Sequence, residues 1–367
     1  MPPATDLLAP THLGQLPLPN RLVMAPMTRN RAAADGTPTP LMATYYAQRA
    51  AAGLTIGEAS TPNAVGQTYA NTTAIHTAAH IAGWRRVTDA VRERGGRMFL
   101  QLQHGGRVGH PDNSGLRPVA PSAVPLPGTV HTPTGHQPAP TPRALTTAEI
   151  DATVEDFAAA ARHAVAAGFE GVEVHSANGY LLHQFLSPNT NHRTDMYGGP
   201  VQNRIRFTVR VVEAVAEAIG PSRTGLRISP GLKVNGIDEA GDTEALYRAL
   251  IPALTSAVPD FAYLHLVHAD PDSPLFRHIR AHWPATLITN PAHPPAPLTT
   301  HSVLMAAVRL RGAGADLISL GRPFLTTPDL PDRLRTAAPL NPLRDQYLMY
   351  VGGERGYTDY PALSARV

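Results

Sequence analysis

Three hydrogen-bonding side chains follow one predicted strand within a single short turn. His175, Asn178 and Tyr180 supply an imidazole, an amide and a phenol directly after Val172-Glu173-Val174, where apolar and charged residues alternate. The polar loop that comes next, residues 187–200, is longer than the about 2–6 residues of an ordinary strand-to-helix connection. Because these groups leave the carboxyl end of a strand together, we take residues 169–207 as the centre of an active site that works through hydrogen bonds.

Composition and spacing argue against several other kinds of site. The chain has 0 cysteines, which excludes disulfides, thiolate nucleophiles, cysteine-ligated zinc and iron–sulfur clusters. No Ser–His–carboxylate spacing stands out, no carboxylates converge at the predicted strand ends, and the histidines lack clustered partners, so we predict neither a hydrolase nor a metal site. The arginines are scattered and the formal net charge is only +3, so a nucleic-acid surface is not expected.

Further functional groups are expected at the carboxyl ends of the other predicted strands. Gly321 allows a ligand to approach the backbone, and Arg322 can bind a phosphate through two N–H groups. Arg227 is costly to bury without an anionic or electron-rich partner. A flat, polar-edged, phosphorylated cofactor suits this set, and FMN fits better than NAD, which needs a second nucleotide pocket. The candidates at the strand ends are Pro26, Thr28, Ala59, Gln101, His175, Asn178, Tyr180, Arg227, Gly321 and Arg322.

Short apolar segments alternate with helical patterns along the chain. This alternation favours an α/β fold with a parallel sheet, and the count of eight strands favours a (β/α)8 TIM barrel over an open doubly wound sheet. No GxGxxG follows the first strand, which disfavours a Rossmann-type fold. The predicted strands are 21–26, 54–60, 97–102, 169–175, 224–229, 261–267, 285–289 and 315–320, and the predicted helices are 39–52, 80–94, 147–167, 201–219, 242–256, 274–282 and 299–311.

Two segments stand outside this alternation. Residues 7–20 are predicted to form an N-terminal hairpin that can plug one end of the barrel. Residues 108–146 form a long excursion after strand 3, rich in Pro, Gly, His and Thr, with little helical or strand pattern. We interpret this excursion as an ordered cap or lid over the site, with a structureless linker as the alternative, and take its histidines as loop residues. The whole chain, 1–367, is predicted to be a single flavin oxidoreductase domain.

Sequence words along almost the whole chain resemble the old yellow enzyme family of FMN-dependent ene reductases. The word AGFEGVEVHSANGYLLHQFLSPNTNHRTDMYGG, residues 167–199, is highly specific by itself. The ending GYTDYP, residues 356–361, resembles the classical branch that includes the pentaerythritol tetranitrate and N-ethylmaleimide reductases. The other matching words are NRLVMAPMTRNRA (20–32), YYAQRAAAGLTIGEAS (45–60), GWRRVTDAV (83–91), FLQL (99–102), PRALT (142–146), RISP (227–230) and LGRPF (320–324).

The resemblance implies a ping-pong reductase in which NADPH reduces bound FMN and the flavin N5 then passes hydride to an activated alkene. It implies that His175 and Asn178 hold and polarise the substrate's carbonyl or nitro oxygen. Tyr180 matches the proton donor, which a phenol with an ordinary pKa of about 10 can be at neutral pH. Thr28 matches a residue that hydrogen-bonds the flavin and tunes its potential. The remaining implied roles are cofactor contacts for Pro26, Ala59, Gln101 and Arg227, phosphate binding for Gly321 and Arg322, and a substrate mouth with Tyr69 and Tyr350.

Three places depart from the family pattern. Gln103 stands where the family usually has a bulky aromatic residue, so we expect a widened or re-aimed substrate pocket. Residues 71–74 replace a more usual proline–glycine turn at the entrance. The seventh strand ends in ITNPAHPPAP, where the family has a glycine-rich, phosphate-binding turn. Because Pro291, Pro294 and Pro295 have no N–H to donate, phosphate binding is expected to rest more heavily on Gly321 and Arg322.

The leading functional prediction is an NAD(P)H-dependent ene reductase that acts on small activated alkenes such as enones, nitroalkenes or maleimides. One alternative is a pathway-specific flavin-dependent reductase, isomerase or desaturase in the biosynthesis of a specialised metabolite. Another is a barrel that has lost FMN and serves as a binding protein. The N-terminus lacks the pattern of a signal peptide and no stretch reaches the roughly 18 apolar residues of a membrane span. We therefore expect a cytoplasmic monomer or homodimer.

Overall fold

The computed structural model describes residues 4–292 and 298–363. Within them, short strands alternate with helices as the sequence predicts. The strands are β1 Thr11–Leu13, β2 Leu16–Leu18, β3 Leu22–Met24, β4 Leu54–Ser60, β5 Met98–Leu102, β6 Val119–Ala120, β7 Thr129–Thr132, β8 Gly135–Pro138, β9 Arg143–Ala144, β10 Gly171–Ser176, β11 Thr224–Ile228, β12 Tyr263–Ala269, β13 Thr286–Pro291 and β14 Leu317–Leu320.

Eight of these strands close into a parallel barrel in the order β10-β11-β12-β13-β14-β3-β4-β5. Every neighbouring pair in that ring is parallel. The predicted (β/α)8 barrel is confirmed, and each predicted barrel strand lies within two residues of its observed ends. The apolar residues of these short segments face the interior and the helix layer, which is why no strand shows the long alternation of a half-exposed sheet.

The helices lie around the barrel and cover it. The helix α5 begins with a capping box in which Thr146 and Glu149 each bond the other's backbone. The helices are α1 Ala4–Leu7, α2 Pro40–Ala47, α3 Ala78–Glu93, α4 Pro111–Ser114, α5 Thr147–Ala166, α6 Leu181–Leu186, α7 Val201–Ile219, α8 Thr243–Ala257, α9 Pro274–His282, α10 Thr300–Gly312, α11 Arg322–Thr326 and α12 Leu330–Thr336. None of the described helices is long and apolar enough to cross a membrane.

The prediction for 39–52 is wrong at its carboxyl end. The helix α2 ends at Ala47, and residues 48–52 continue as tight turns, with Arg49 N bonded to Tyr46 O at 3.0 Å and Ala52 N to Arg49 O at 3.1 Å. These turns reverse the chain direction so that β4 can start at Leu54. Residues 48–52 therefore form the sharp connection between α2 and β4 rather than the additional helical turn that their local helix propensity predicts.

The N-terminal hairpin closes the end of the barrel opposite the predicted site. Its strands β1 and β2 pair antiparallel. Leu13 and Leu18 pack in one buried cluster with the barrel residues Val23, Phe99 and Tyr263. The hairpin thus keeps water out of the barrel floor, while the other end stays open for a ligand.

The excursion after the third barrel strand is more regular than its sequence suggests. Residues 129–138 form an antiparallel hairpin, β7 with β8, and the short strands β6 and β9 pair in parallel. The sequence showed little strand pattern here because these strands have only 2–4 residues each and contain Pro, His and Thr in place of an apolar alternation. Thr129, His131 and His136 of this hairpin reach the cleft described next.

Candidate active site

A cleft of about 770 Å³ opens at the carboxyl ends of the barrel strands. It brings together twelve of the thirteen side chains or backbone positions that the sequence singled out, although they come from six barrel strands, the loops after them and the C-terminal segment. The twelve are Pro26, Thr28, Tyr69, Gln101, Gln103, His175, Asn178, Tyr180, Arg227, Gly321, Arg322 and Tyr350.

Ala59 is the residue that does not line this cleft. It lies in the body of β4 and is 7% exposed, and its carbonyl accepts a hydrogen bond from Thr73 Oγ1 at 3.1 Å. Its assignment as a cofactor contact stays a prediction.

The turn after β10 is held in an uncommon backbone conformation. Asn178 has φ +55° and Gly179 has φ +78°, two successive left-handed residues that favour Asn and Gly. Three bonds fix this turn: Asn178 N to Ser229 Oγ at 2.9 Å, Gly179 N to His183 Nδ1 at 3.1 Å, and Asn235 Nδ2 to Asn178 O at 2.8 Å. The backbone of Asn178 is thus immobilised while its side-chain amide lines the cleft.

His175 is a buried imidazole that the surrounding charges keep neutral. It is 2% exposed, and its Nδ1 has no hydrogen-bond partner among the described residues. Burial lowers the pKa of His175 well below its usual value, and the positive charge of Arg227 lowers it further. Arg227 is the residue opposite His175 on the adjacent strand, in the parallel pairing of β10 with β11. A neutral imidazole in this place can donate one hydrogen bond into the cleft.

Tyr180 lies beside His175, with the two ring centroids 5.3 Å apart. Burial raises the pKa of the Tyr180 phenol well above its usual value, and the neighbouring Tyr69 raises it further. The hydroxyl is therefore protonated throughout the neutral range and is available as a proton donor. Tyr69 packs with Tyr180 against Val108, Leu126 and Val130.

The outer part of the cleft combines one buried amide and one exposed phenol. Gln103 is 6% exposed and donates from Nε2 to Thr68 Oγ1 at 3.0 Å. Tyr350 is 51% exposed at the rim. Gln103, one of the residues that depart from the family pattern, thus lies in the cleft wall, where a larger side chain would take up ligand space.

Arg227 provides a direct test of whether the cleft suits a cofactor with hydrogen-bond acceptors. Its side chain is 6% exposed, and its Nε has no hydrogen-bond partner among the described residues. Burying a guanidinium whose donors lack acceptors costs on the order of several kcal/mol of folding free energy. Arg227 lines a cleft whose described lining contains no carboxylate, so a ligand with carbonyl or anionic acceptors can satisfy the guanidinium donors that reach it. The pyrimidine edge of a flavin has this chemistry.

The opposite end of the cleft suits a phosphate. A Cβ built on Gly321 would lie only 3.3 Å from Met27 Sδ, so glycine avoids a tight contact there while its backbone lines the cleft. Arg322 is exposed next to it. Pro291 is the last residue of β13 and lines the cleft, and Asn290 Nδ2 bonds Ser319 O at 2.9 Å. Pro294 and Pro295 lie outside the described residues. The donor set of the whole cleft therefore fits FMN.

Several lining residues were missed by the sequence interpretation. His131 and His136 were taken as loop residues, but the hairpin β7–β8 carries them to the cleft. Their pairing across the hairpin, with ring centroids 5.3 Å apart, leaves no periodic signal in so short a strand. Other missed residues come from strand ends and from the C-terminal segment; they are Asn30, Thr129, His268, Asn290, Tyr347, Met349 and Val351.

Comparison with known proteins finds similarity over almost the whole chain. The model of the NADH:flavin oxidoreductase / NADH oxidase family matches residues 6–341. A probable flavin mononucleotide-dependent alkene reductase of Leishmania infantum is 41% identical over 97% of this chain and 97% of its own length.

Two solved structures have the same fold and substantial identity. The old yellow enzyme homologue of Zymomonas mobilis has a TM-score of 0.91 and 39% identity, covering 98% of this chain and 100% of the other. Morphinone reductase in complex with tetrahydroNAD has a TM-score of 0.89 and 43% identity, covering 98% of both chains. This chain belongs to the NADH:flavin oxidoreductase family, as an old yellow enzyme of the FMN-dependent ene reductase type.

Proposed function

We propose that this cleft reduces the C=C bond of small activated alkenes, such as enones, nitroalkenes or maleimides, with NADPH as the reductant. The observation that carries the proposal is the convergence of His175, Asn178 and Tyr180 on the cleft that also receives Arg227. FMN held in this cleft would supply the two-electron chemistry, namely hydride transfer from the nicotinamide to the β-carbon of the alkene. The chain's own residues bind, orient and protonate.

His175 and Asn178 hold the substrate through its carbonyl or nitro oxygen. Both are neutral donors at the carboxyl end of β10, and two hydrogen bonds fix the backbone of Asn178. Two preorganised donors stabilise the negative charge that develops on that oxygen when the β-carbon accepts hydride. Because His175 is kept neutral, it polarises the substrate by hydrogen bonding without carrying a full charge.

Tyr180 donates the proton that completes the reduction at the α-carbon. Its pKa is raised well above the usual value, so the protonated phenol is the form present at neutral pH. Its ring lies beside His175, so a substrate held by that imidazole has the phenol next to it. Tyr69 and Tyr350 form the outer wall against which the substrate is enclosed, and Gln103 shapes the side of the pocket.

The cofactor residues divide into two groups. Pro26, Thr28, Gln101 and Arg227 contact the ring system, where Thr28 donates a hydrogen bond and Arg227 offsets negative charge on the reduced form. Gly321 and Arg322 hold the phosphate. This division is supported by the buried guanidinium of Arg227 and by Gly321, whose backbone carries no side chain, since both residues line the cleft.

A second candidate, a dedicated reductase, isomerase or desaturase for one bulky metabolite, is favoured by Gln103. This buried amide lines the cleft and leaves room that a bulky aromatic residue would fill. We further propose that the protein works in the cytoplasm as a monomer or homodimer, without nucleic-acid or membrane partners. The low formal net charge of +3 supports the absence of a nucleic-acid surface.

The test is an anaerobic absorbance experiment on the purified protein. We expect flavin absorbance from bound FMN, its loss when NADPH is added in stoichiometric amount, and its return when cyclohexenone is then added. A protein that stays colourless after FMN titration contradicts the assignment of the cofactor site. A protein that is bleached by NADPH but reoxidised slowly by cyclohexenone and other small enones favours the dedicated pathway enzyme.

A further inference from the structure

A chain of buried polar side chains crosses the barrel beneath the cleft. Ser319 Oγ is 2.6 Å from His265 Nε2, His265 Nδ1 is 2.8 Å from Glu173 Oε2, and Gln101 Nε2 is 2.8 Å from Glu173 Oε1. The exposed fractions are 0% for Ser319, His265 and Glu173 and 3% for Gln101. Gln101 lines the cleft, whereas the other three lie below its lining.

The direction of each hydrogen bond in this chain follows from Glu173. Burial raises the pKa of Glu173, but His265 and Arg227 outweigh burial and hold the pKa below its usual value, so the side chain is an ionised carboxylate. A carboxylate only accepts, so His265 Nδ1 must donate its hydrogen to it, and Gln101 must donate from its amide nitrogen. Burial lowers the pKa of His265, so its other nitrogen is unprotonated and accepts from the Ser319 hydroxyl.

The carboxylate therefore fixes which end of the Gln101 amide points toward a ligand. With Nε2 committed to Glu173, Oε1 is left as an acceptor, and it receives no hydrogen bond from the described residues. The negative charge of Glu173 decides which end of the Gln101 amide faces it, because only the NH2 group can donate to a carboxylate. An acceptor in the cleft complements the imide N–H of a flavin ring, which donates.

Glu173 also acts on Arg227, because its negative charge stabilises the buried guanidinium. Strand register brings the members of this cluster together. Glu173 on β10 is opposite Gln101 on β5, and Arg227 on β11 is opposite His265 on β12. Arg227 and His265 together surround the carboxylate, and Tyr263 adds a phenol near it. Without Glu173, Arg227 would present a full uncompensated positive charge to the cleft.

We infer that Glu173 is a positioning residue that orients Gln101 as an acceptor, offsets the charge of Arg227 and thereby sets the reduction potential of the bound flavin. The inference rests on the proposed function, which places Gln101 and Arg227 at the flavin ring. A buried negative charge disfavours the negative charge that reduction adds to the ring, so its removal raises the potential. This sign holds whichever way a substituted amide turns, because the charge is lost in both cases.

The test is an equilibrium redox titration of holoenzyme variants against a reference dye. In Glu173→Gln, we expect the reduced-to-oxidised ratio at a fixed dye potential to rise at least about tenfold, which is about 30 mV for a two-electron couple. Ser319→Ala is the matched control: it removes a hydrogen bond from the same chain without removing charge, and we expect a change below about twofold.

Two results overturn the inference. One is a Glu173→Gln holoenzyme with an unchanged potential. The other is a Ser319→Ala shift as large as that of Glu173→Gln, which would attribute the effect to packing. A purely structural role would change stability and FMN content but leave the potential where it is. If the wild-type protein binds no FMN, the proposed function fails as well, whereas a wild-type flavoprotein with a potential insensitive to residue 173 contradicts only this inference.

A measurement on the wild-type holoenzyme covers the case in which Glu173→Gln does not fold or retain FMN. We expect the ¹⁵N resonances of His265, identified by their loss in His265→Gln, to report an Nδ1–H tautomer and to shift when the flavin is reduced. An Nε2–H tautomer, or resonances indifferent to flavin reduction, would overturn the inference.

Discussion

His183 Nε2 lies 3.0 Å from Glu239 Oε1, and the other nitrogen of the same ring accepts the N–H of Gly179 at 3.1 Å. Both side chains are buried, and Glu239 also accepts from Tyr247 Oη at 2.8 Å and from Gly231 N at 2.9 Å. The carboxylate therefore fixes the Nε2–H tautomer of His183, and this tautomer is the one that can accept from Gly179. Through this pair, a residue of the loop after β11 controls the turn that carries Asn178.

We predict that Glu239→Gln weakens substrate binding. The new amide places an N–H either against the Gly231 N–H or against the His183 and Tyr247 donors. In the second orientation the His183 ring must turn or change tautomer, and the Gly179 N–H loses its acceptor. The loss of one such buried bond costs about 1–3 kcal/mol. We expect the apparent affinity for cyclohexenone in the oxidative half-reaction to fall about tenfold, measured by stopped-flow absorbance.

Tyr247→Phe is the matched control for this variant. It removes one hydrogen bond to Glu239 but keeps the carboxylate and hence the His183 tautomer. We expect at most about a threefold loss of affinity, the smaller end of a single hydrogen-bond effect. Equal losses in the two variants would show that the tautomer of His183 is not what holds the turn.

Gln103→Trp should narrow the substrate pocket selectively. Residue 103 is buried in the cleft wall, so an indole there has to project into ligand space. We expect kcat/KM for a bulky enone, such as a ring-fused cyclohexenone, to fall at least about tenfold more than kcat/KM for cyclohexenone, a difference of roughly 1–3 kcal/mol. Gln103→Ala enlarges the same space, so the ratio of kcat/KM for the bulky enone to that for cyclohexenone should stay the same or rise. An equal loss of kcat/KM for both substrates in Gln103→Trp would contradict the position of residue 103 in the wall of the substrate pocket.

A buried carboxylate outside the cleft predicts a pH dependence of stability. Glu58 is 0% exposed; it accepts from Arg29 N at 3.1 Å and from Tyr46 Oη at 3.2 Å. Burial raises the pKa of Glu58 from 4.5 to about 7, although Arg29, Tyr46 and Arg31 pull it down. Because the folded-state pKa lies above the unfolded one, the contribution to stability is complete below pH 4.5 and is lost as the pH rises through about 7.

We therefore expect the free energy of unfolding of the wild type to fall between pH 5 and pH 8 by roughly 2–3 kcal/mol more than that of Glu58→Gln. The glutamine cannot ionise and keeps an oxygen for the Arg29 N–H. Urea unfolding of the FMN-saturated proteins at both pH values measures the difference. Parallel pH profiles for the two proteins would mean that Glu58 does not titrate in this range.

Much of the fold and of the cleft follows from sequence patterns because it depends on local signals. The barrel strands are short apolar runs between turns, and the carboxyl ends of parallel strands meet at one end of a barrel, so His175, Gln101 and Arg227 could be placed together without coordinates. The family resemblance adds Tyr350, in the C-terminal segment, as a residue of the substrate mouth. The N-terminal hairpin likewise follows from two turn signals around a short apolar stretch.

What the sequence could not predict depends on contacts between distant segments. Glu173 appears in the sequence only as the charged member of an alternating strand, and nothing local indicates that it meets His265, 92 positions away. The pairing of His131 with His136 is equally invisible, because strands of four residues leave no period to detect. Ala59 lies near the end of β4 but does not line the cleft, and the register shift between Gly57 and Ser60 at this end of the β4–β5 pair has no signal in the sequence.

The central claim is that Tyr180 protonates the substrate while His175 and Asn178 hold it, and Tyr180→Phe tests it most directly. The two half-reactions are measured separately by anaerobic stopped-flow absorbance, with bleaching by NADPH in one and reoxidation by cyclohexenone in the other. We expect reoxidation to slow by about 10²–10⁴-fold, the usual range for loss of a general acid, while bleaching by NADPH changes by less than about threefold. Equal loss in both half-reactions, or no loss in reoxidation, would contradict the assignment.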